Sequence, residues 1–348
     1  TAEYFPKKDR AYATSIFNAG ASIGALVAPL TIPLLAKAWG WEMAFIVIGG
    51  LGFIWMGFWV FMYSKPSESK HVNKAELDYI EQDKHEEGAA PVVEEKDEKK
   101  MKFWQCFSYK QTWAFAFGKF MTDGVWWFYL FWTPAYLSSV YKMDSTQSAF
   151  PLFVLYIITL LSIIGGWLPK YFVDKLKLNP YSGRMKAMLI FAFFPLLALF
   201  AQPGGEITYW IPVIIIGIAG AAHQAWSANI FSTVGDMFPK KAIATITGIG
   251  GMAGGIGSFI INKGSGVLFD YAHKTWTTVD GIPLLQKFPK FATERIPDHF
   301  FEDLQKSGAV ISDGINKGYM IIFSICAVTY LIAWFVMKSL VPKYQVIK

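Results

Sequence analysis

Ionisable residues are scarce in this sequence: Asp, Glu, Lys and Arg make up 17% of its 348 residues, against roughly 25% in soluble domains. Cysteine is scarcer still. Cys106 and Cys326 are too few and too scattered for a disulfide framework or a zinc site, so both are read as packing residues and no metal or cofactor is expected. No HExxH, GxSxG or GxxxxGK[ST] pattern occurs, which removes the zinc protease, the nucleophile elbow and the ATP-driven pump. What is abundant is apolar: 53% of residues are hydrophobic and 17% aromatic. Of the 32 basic and 26 acidic residues, 20 fall between Ser64 and Thr112, leaving long tracts elsewhere nearly free of charge. That distribution belongs to a protein whose solvent is the lipid bilayer. The net charge of +6 is then no sign of nucleic-acid binding, because the basic residues sit in short loops between apolar runs.

A segment near the start returns late in the chain. EYFPKKDRAYATSIFNAGASIGA from Glu3 aligns without gaps on DMFPKKAIATITGIGGMAGGIGS from Asp236, with Phe-Pro-Lys-Lys leading into a small-residue apolar run each time. Such duplication marks a membrane protein built from repeats. The second copy is preceded by further apolar stretches and the first is not, so the expectation is a chain lacking roughly 120 residues upstream.

A helix needs about 20 apolar residues to cross roughly 30 Å of hydrocarbon. Eight segments are expected to span, at about 11–36, 41–63, 113–139, 148–169, 185–201, 207–233, 242–268 and 317–338. Continuous runs of this length exclude barrel strands. If the spans alternate, Lys7, Lys8, Arg10, Lys65, Lys110, Lys170, Arg184, Lys240, Lys241 and Lys338 all fall on one face, which the positive-inside rule makes cytoplasmic together with the C-terminus. Residues 64–112 form a cytoplasmic linker in which Asn73 and Glu76 predict an N-capped helix from Lys74 to about His85, followed by a flexible HEEGAAPVVEEKDEKK stretch. An insertion at about 270–316, with a short helix around Phe300 to Lys306, is placed on the external face as a surface insertion or a small cap. Gly20 and Gly24, and Gly254 and Gly257, are expected to let helix backbones approach closely.

An ionisable group inside a span is costly and is therefore a candidate site. Lys119 and Asp123 lie four residues apart in the third span and share a helix face. Lys119 sits about 9 Å deep, within reach of the interface as a snorkelling anchor, whereas Asp123, about 15 Å deep, has too short a side chain to escape. The pair offers a cation to an anionic substrate, or a proton site. His223, Gln224, Ser227 and Asn229 cluster in the sixth span, for substrate contact or for interhelical hydrogen bonds, and the imidazole is a second proton-carrying candidate. Asn18 in the first span repeats the pattern. Trp126 and Trp127 lie too deep for an interfacial belt and are candidates to stack on a sugar ring, with core packing as the alternative.

Three motifs carry a resemblance. The Phe-Pro-Lys-Lys lead into SIFNAGASIGALVAP, the run KFMTDGVWWFYLFWTPAYL, and GAAHQAWSANIFSTVGDMFPKK together resemble the hexuronate transporters of the anion:cation symporter branch of the major facilitator superfamily. The resemblance implies an all-α membrane protein of two six-helix bundles. Residues 1–63 would be the last two helices of the first bundle, 64–112 the linker and 113–348 the whole second bundle, the first four helices being absent. It also implies proton-coupled symport of glucuronate or galacturonate through the bacterial inner membrane, by a monomer whose partners are the sugar acid, the proton and the lipid bilayer. Lys119 matches the family's seventh-helix basic residue, Asp123 its acid, His223 with Gln224 the tenth-helix polar pair, and Asn18 the fifth-helix Asn. The family's main proton-coupling acid and carboxylate-binding residues lie on helices that have no counterpart here. The cytoplasmic Gly-Asp-Arg signature survives as a degenerate copy, GGWLPKYFVDK with Arg184 after it. Another sugar acid or organic anion fits the same chemistry. An intramembrane enzyme would need a denser cluster of His and acids, and a channel is told from a carrier only by saturable flux.

Overall fold

A computed structural model describes residues 3–6, 8–82, 101–297 and 299–347. Nearly all of them are helical. α1 (Arg10–Trp39) and α2 (Trp41–Met62) are split by Gly40 alone, whose φ of +88° only glycine adopts without strain. α3 (Lys74–Ile80) starts where Asn73 accepts a 2.8 Å hydrogen bond from the Glu76 backbone, as the spacing predicts, and residues 83–85 of the expected helix lie outside the described residues. The expected flexible stretch at 85–100 lies outside the described residues. α4 (Phe103–Cys106) leads into α5 (Lys110–Tyr141), which a left-handed Lys142 closes.

α6 (Ser145–Thr159) opens on a capping box between Asp144 and Gln147 and runs through a 3₁₀ turn, Leu160–Ile163, into α7 (Ile164–Leu176). α8 (Pro180–Phe193), with Asn179 as its cap and Pro180 in the first turn, likewise passes through a 3₁₀ segment into α9 (Ala201–Gly205). α10 (Trp210–Met237) and α11 (Lys240–Trp276) meet at the second Phe-Pro-Lys-Lys.

Beyond α11 the chain forms a small unit of its own. β1 (Thr278–Val279) pairs antiparallel with both β2 (Ile282–Pro283) and β3 (Ile311–Ser312). Asp280 and Gly281, both at positive φ, make the two-residue hairpin turn that an Asp-Gly pair favours. α12 (Leu284–Lys287) and α13 (Phe300–Lys306) close over Leu284 and Phe291, with Phe288, Phe291 and Phe300 stacked edge to face. The insertion therefore has a core. α14 (Ile315–Leu340) is the last long helix.

Among the described residues, six segments are both long and apolar enough to cross a bilayer: α2, α6 with α7, α8 with α9, α10, α11 and α14. α1 and α5, at 30 and 32 residues, also have the length, but α5 falls short in hydropathy. α5 does so because Lys119, Asp123 and a run of Trp and Tyr replace aliphatic residues in its middle. These eight segments fall where the eight spans were expected, and six of them meet both criteria. α10 is enclosed nearly all round by α5, α6, α8 and α1, whereas α2 buries only Ala44 and leaves Phe53 and Phe61 72% and 90% exposed. Large apolar side chains at such exposure suit contact with acyl chains.

The glycine rows divide. On α11, a Cβ at Gly257 would stand 1.9 Å from the Phe120 carbonyl oxygen, and one at Gly250 would enter the Phe115 ring, so the α5–α11 contact depends on missing side chains. Gly20 and Gly24 depart from expectation: nothing among the described residues lies within 4 Å of where their Cβ atoms would sit.

Candidate functional site

The polar residues expected on α5 and α10 converge with one residue of α14. On α5, Lys119, Asp123 and Trp126 follow one face at helical spacing. Lys119 Nζ stands 2.8 Å from Asp123 Oδ1, with both side chains largely buried, and 4.2 Å from the centre of the Phe231 ring on α10. Lys119 is thus not a snorkelling anchor. Asp123 offers the nearer charge, and a cation over an aromatic face is stabilised further. Space for the Asp123 carboxylate comes from α11, where a Cβ at Gly254 would stand 2.2 Å from its Oδ2.

One turn along, Trp126 lies flat on His223, with ring centres 5.2 Å apart and planes 5° apart. Gly220 admits the indole, whose edge is 3.3 Å from where a Cβ would be. The other side of the imidazole is tied to α14 through a 2.7 Å hydrogen bond between His223 Nδ1 and the Tyr330 hydroxyl. Tyr330 reaches back toward the Thr122 carbonyl at 3.4 Å. So α5, α10 and α14 are joined at one level by Trp126, His223 and Tyr330. Tyr330 has no sequence signal beyond being a tyrosine in an apolar span, and only the fold shows its role.

The other candidates separate by surroundings. Asn229 is wholly buried and donates to the Gly165 carbonyl of α7 at 2.9 Å and to Ala225 at 2.8 Å, which is the interhelical alternative and not a ligand-facing group. Gln224 and Ser227 are buried, yet neither has a hydrogen-bond partner among the described residues, and their polar atoms are not sealed from solvent. Buried polar groups are normally satisfied, so these two stand apart from Asn229. Trp127 is 37% exposed and stacks on Phe131. Asn18 lies in α1, but its side chain is outside what the structure describes.

A groove of about 590 Å³ runs between α1 (Gly24, Ala25, Ala28, Ile32) and α5 with α6 (Trp126, Trp127, Leu130, Pro134, Leu152, Tyr156). That is the size of a small-molecule site. Its wall is mostly apolar, and Trp126 is the one residue that belongs both to it and to the polar cluster. A smaller recess of about 290 Å³, between Tyr4 and the aromatic end of α2, contains no Lys, Arg, His or acid and lies apart from the cluster.

At the basic end of the bundle are charged residues that sequence reasoning assigned to loops. Arg184 and Asp236 form a two-pronged pair, Nε to Oδ2 at 2.6 Å and Nη2 to Oδ1 at 3.0 Å, fully buried between α8 and α10. The expectation of Arg184 as a loop cation is corrected: α10 extends past residue 233 and carries Asp236 into the protein. Lys170 of α7 pairs with Asp9 at the start of α1. The degenerate signature GGWLPKYFVDK was the available hint, though nothing in it names the partners.

Apolar segments of membrane-spanning length that carry a few buried, mutually paired polar groups beside a ligand-sized groove are the pattern of a multi-pass membrane protein. The sequence signature of the Major Facilitator Superfamily matches residues 1–261. The chain belongs to that superfamily. It is 30% identical over 278 residues to the hexuronate transporter of Escherichia coli K12, a match covering 78% of this chain and 61% of that protein. It is also 28% identical to the galacturonate transporter of Dickeya chrysanthemi, over 58% of this chain and 59% of the relative, and 27% identical to the D-galactonate transporter of Escherichia coli O6:H1, over 74% and 60%. The chain spans about three fifths of the length of the curated relatives it matches.

Proposed function

We propose that the protein to which this chain belongs carries hexuronates, glucuronate or galacturonate, together with protons across the bacterial inner membrane by alternating access. Residues 1–63 contribute two helices of one bundle, 64–112 the cytoplasmic linker and 113–348 the second bundle, working as a monomer with the C-terminus in the cytoplasm. The observation that carries this reading is Trp126, which lines the groove while stacked on His223, one turn from the Lys119–Asp123 pair.

A sugar acid needs a cation for its carboxylate, donors and acceptors for its hydroxyls, and a flat apolar face for its ring carbons. Lys119, then Gln224 and Ser227, then Trp126 are the groups assigned to those tasks. Asp123 holds Lys119 while the site is empty and gives it up on taking a proton; His223 is the second proton site, with Tyr330 fixing its ring. Asn229 packs the helices, and Trp127 borders the groove. The names of the relatives extend to galactonate and glucarate, so a wider sugar-acid range is the second reading.

The test is uptake of labelled glucuronate into proteoliposomes holding the intact protein. Uptake that saturates, accelerates under an inward proton gradient and is lost in Lys119→Met supports the proposal. Flux that never saturates, or that ignores the gradient and Lys119→Met alike, ends it.

A further inference from the structure

Like any helix, α10 ends in four carbonyls, of residues 234–237, that need partners from beyond its own ladder. The Val234 carbonyl takes the Phe238 backbone N–H at 3.0 Å, and the Gly235 carbonyl takes Nη1 of Arg10 at 3.0 Å. The last two are met by the segment that follows α14. Tyr344 donates its hydroxyl to the Asp236 carbonyl at 3.2 Å, and the Ile347 backbone N–H reaches the Met237 carbonyl at 2.8 Å. Residues 341–347 contain no helix or strand, yet every third one turns inward: Val341 and Ile347 are buried and Tyr344 is half-buried. On its way the segment is held by α8. The Tyr181 hydroxyl donates to the Val341 carbonyl at 2.6 Å, and the Tyr181 ring lies beside that of Tyr344, with centres 6.3 Å apart and planes 20° apart.

α10 and α14 are therefore joined at two levels. At mid-span the join is the 2.7 Å hydrogen bond between His223 and Tyr330, and at the basic end it is residues 341–347. From His223 to Met237 is about 21 Å along α10, and from Tyr330 to Val341 about 16 Å along α14. A helix pair fastened at one level can slide or pivot about it, whereas one fastened at two keeps its register. We propose that residues 341–347 form a strap that holds α10 in register with α8 and α14, and that Tyr344 and Ile347 are positioning residues, acting through α10 on where His223 stands. The partners of the strap all fall within residues 113–348, so it persists while two bundles rock and the site it positions travels as a unit. The inference rests on the carrier reading but not on the identity of the substrate.

The experiment reads two hydrogen-exchange rates by mass spectrometry on the intact protein in proteoliposomes: backbone amides in the last turn of α10, and the imidazole C2 position of His223. Ile347→Pro removes the N–H that reaches Met237, whereas Ile347→Val keeps it. Ile347→Pro is expected to speed both rates by about fivefold, Tyr344→Phe to speed both by less, and Ile347→Val to leave both as in the parent. In a Tyr330→Phe background, where His223 has already lost its partner on α14, Ile347→Pro is expected to add nothing at C2. Faster amides with an unchanged His223 would make the segment a local helix cap and overturn the positioning role; so would two unchanged rates, or a further rise at C2 in the Tyr330→Phe background. If Ile347→Pro fails to reach the membrane, Tyr344→Phe decides by the same two readings. Because exchange needs no substrate, a protein that ignores glucuronate but shows these shifts retains the strap and loses only the substrate assignment.

Discussion

Gly254→Ala is the most direct probe of the Lys119–Asp123 pair, because it leaves both charged residues in place. A methyl at 254 would stand 2.2 Å from Asp123 Oδ2 and 3.0 Å from its Cγ, whereas ordinary contact starts near 3.4 Å. The carboxylate must back away by roughly 1 Å, which stretches its 2.8 Å contact with Lys119 beyond hydrogen-bond range. Overpacking of this kind costs about 1–3 kcal/mol, and a buried cation left half-paired adds to the cost. Alanine also gains up to about 1 kcal/mol of helix propensity over glycine. The net loss is therefore about 2 kcal/mol, or on the order of 5 °C in the midpoint of thermal unfolding. Gly255→Ala is the control: nothing among the described residues lies within 4 Å of its Cβ position, so it receives the propensity gain without the clash. The assay is thermal unfolding of the detergent-solubilised protein, repeated in an Asp123→Ala background to complete a double-mutant cycle. With Asp123 shortened, the Gly254→Ala penalty is expected to vanish. The reasoning is refuted if Gly254→Ala is as well tolerated as Gly255→Ala, or if its cost persists after Asp123 is shortened.

Arg184→Leu or Asp236→Asn alone, by stranding a fully buried charge, is expected to destabilise by about 3–5 kcal/mol, with Arg184→Leu/Asp236→Leu recovering part of the loss in the same unfolding assay. Tyr330→Phe removes the 2.7 Å partner of His223 and is expected to cost about 1 kcal/mol while altering the pH profile of uptake; an unaltered profile would remove His223 from the proton path. Asp9 gives a sign for pH dependence at the basic end of the bundle. Burial pushes its carboxyl up, the hydrogen bonds from Lys170 and Tyr79 outweigh that, and the net displacement is below the ordinary 3.8. A group lowered on folding contributes its stability above the ordinary value and loses it as pH falls through the lowered one. Thermal unfolding is thus expected to show the Asp9–Lys170 contribution undiminished from pH 7 down to about pH 4 and lost only below that; its loss between pH 5 and 6 would contradict the assignment.

Much of the architecture was legible because it is written locally. Apolar runs of sufficient length mark the spans, Asn73 and Glu76 mark the start of α3, and the repeated Phe-Pro-Lys-Lys announces α11. The Asp280-Gly281 hairpin of the insertion is equally local, since its turn type is carried by two adjacent residues. Of the candidate site, Lys119 and Asp123 were readable as neighbours from their four-residue spacing, and their pairing needs no other helix.

The sequence by itself determined which segments enter the bilayer and which ionisable residues go with them, since both follow from hydropathy counted along a few turns. Only the tertiary structure decided which of those residues meet. It set His223 between Trp126 and Tyr330, Arg184 against Asp236, and Asp9 among Lys170 and Tyr79; it gave Asn229 to a neighbouring backbone and left Gly20 and Gly24 without a close neighbour among the described residues. The physical reason is range. Helix formation and burial in lipid are settled by residues within a turn or two of one another, whereas a contact between helices depends on their rotation and separation, which close packing against every neighbour sets together.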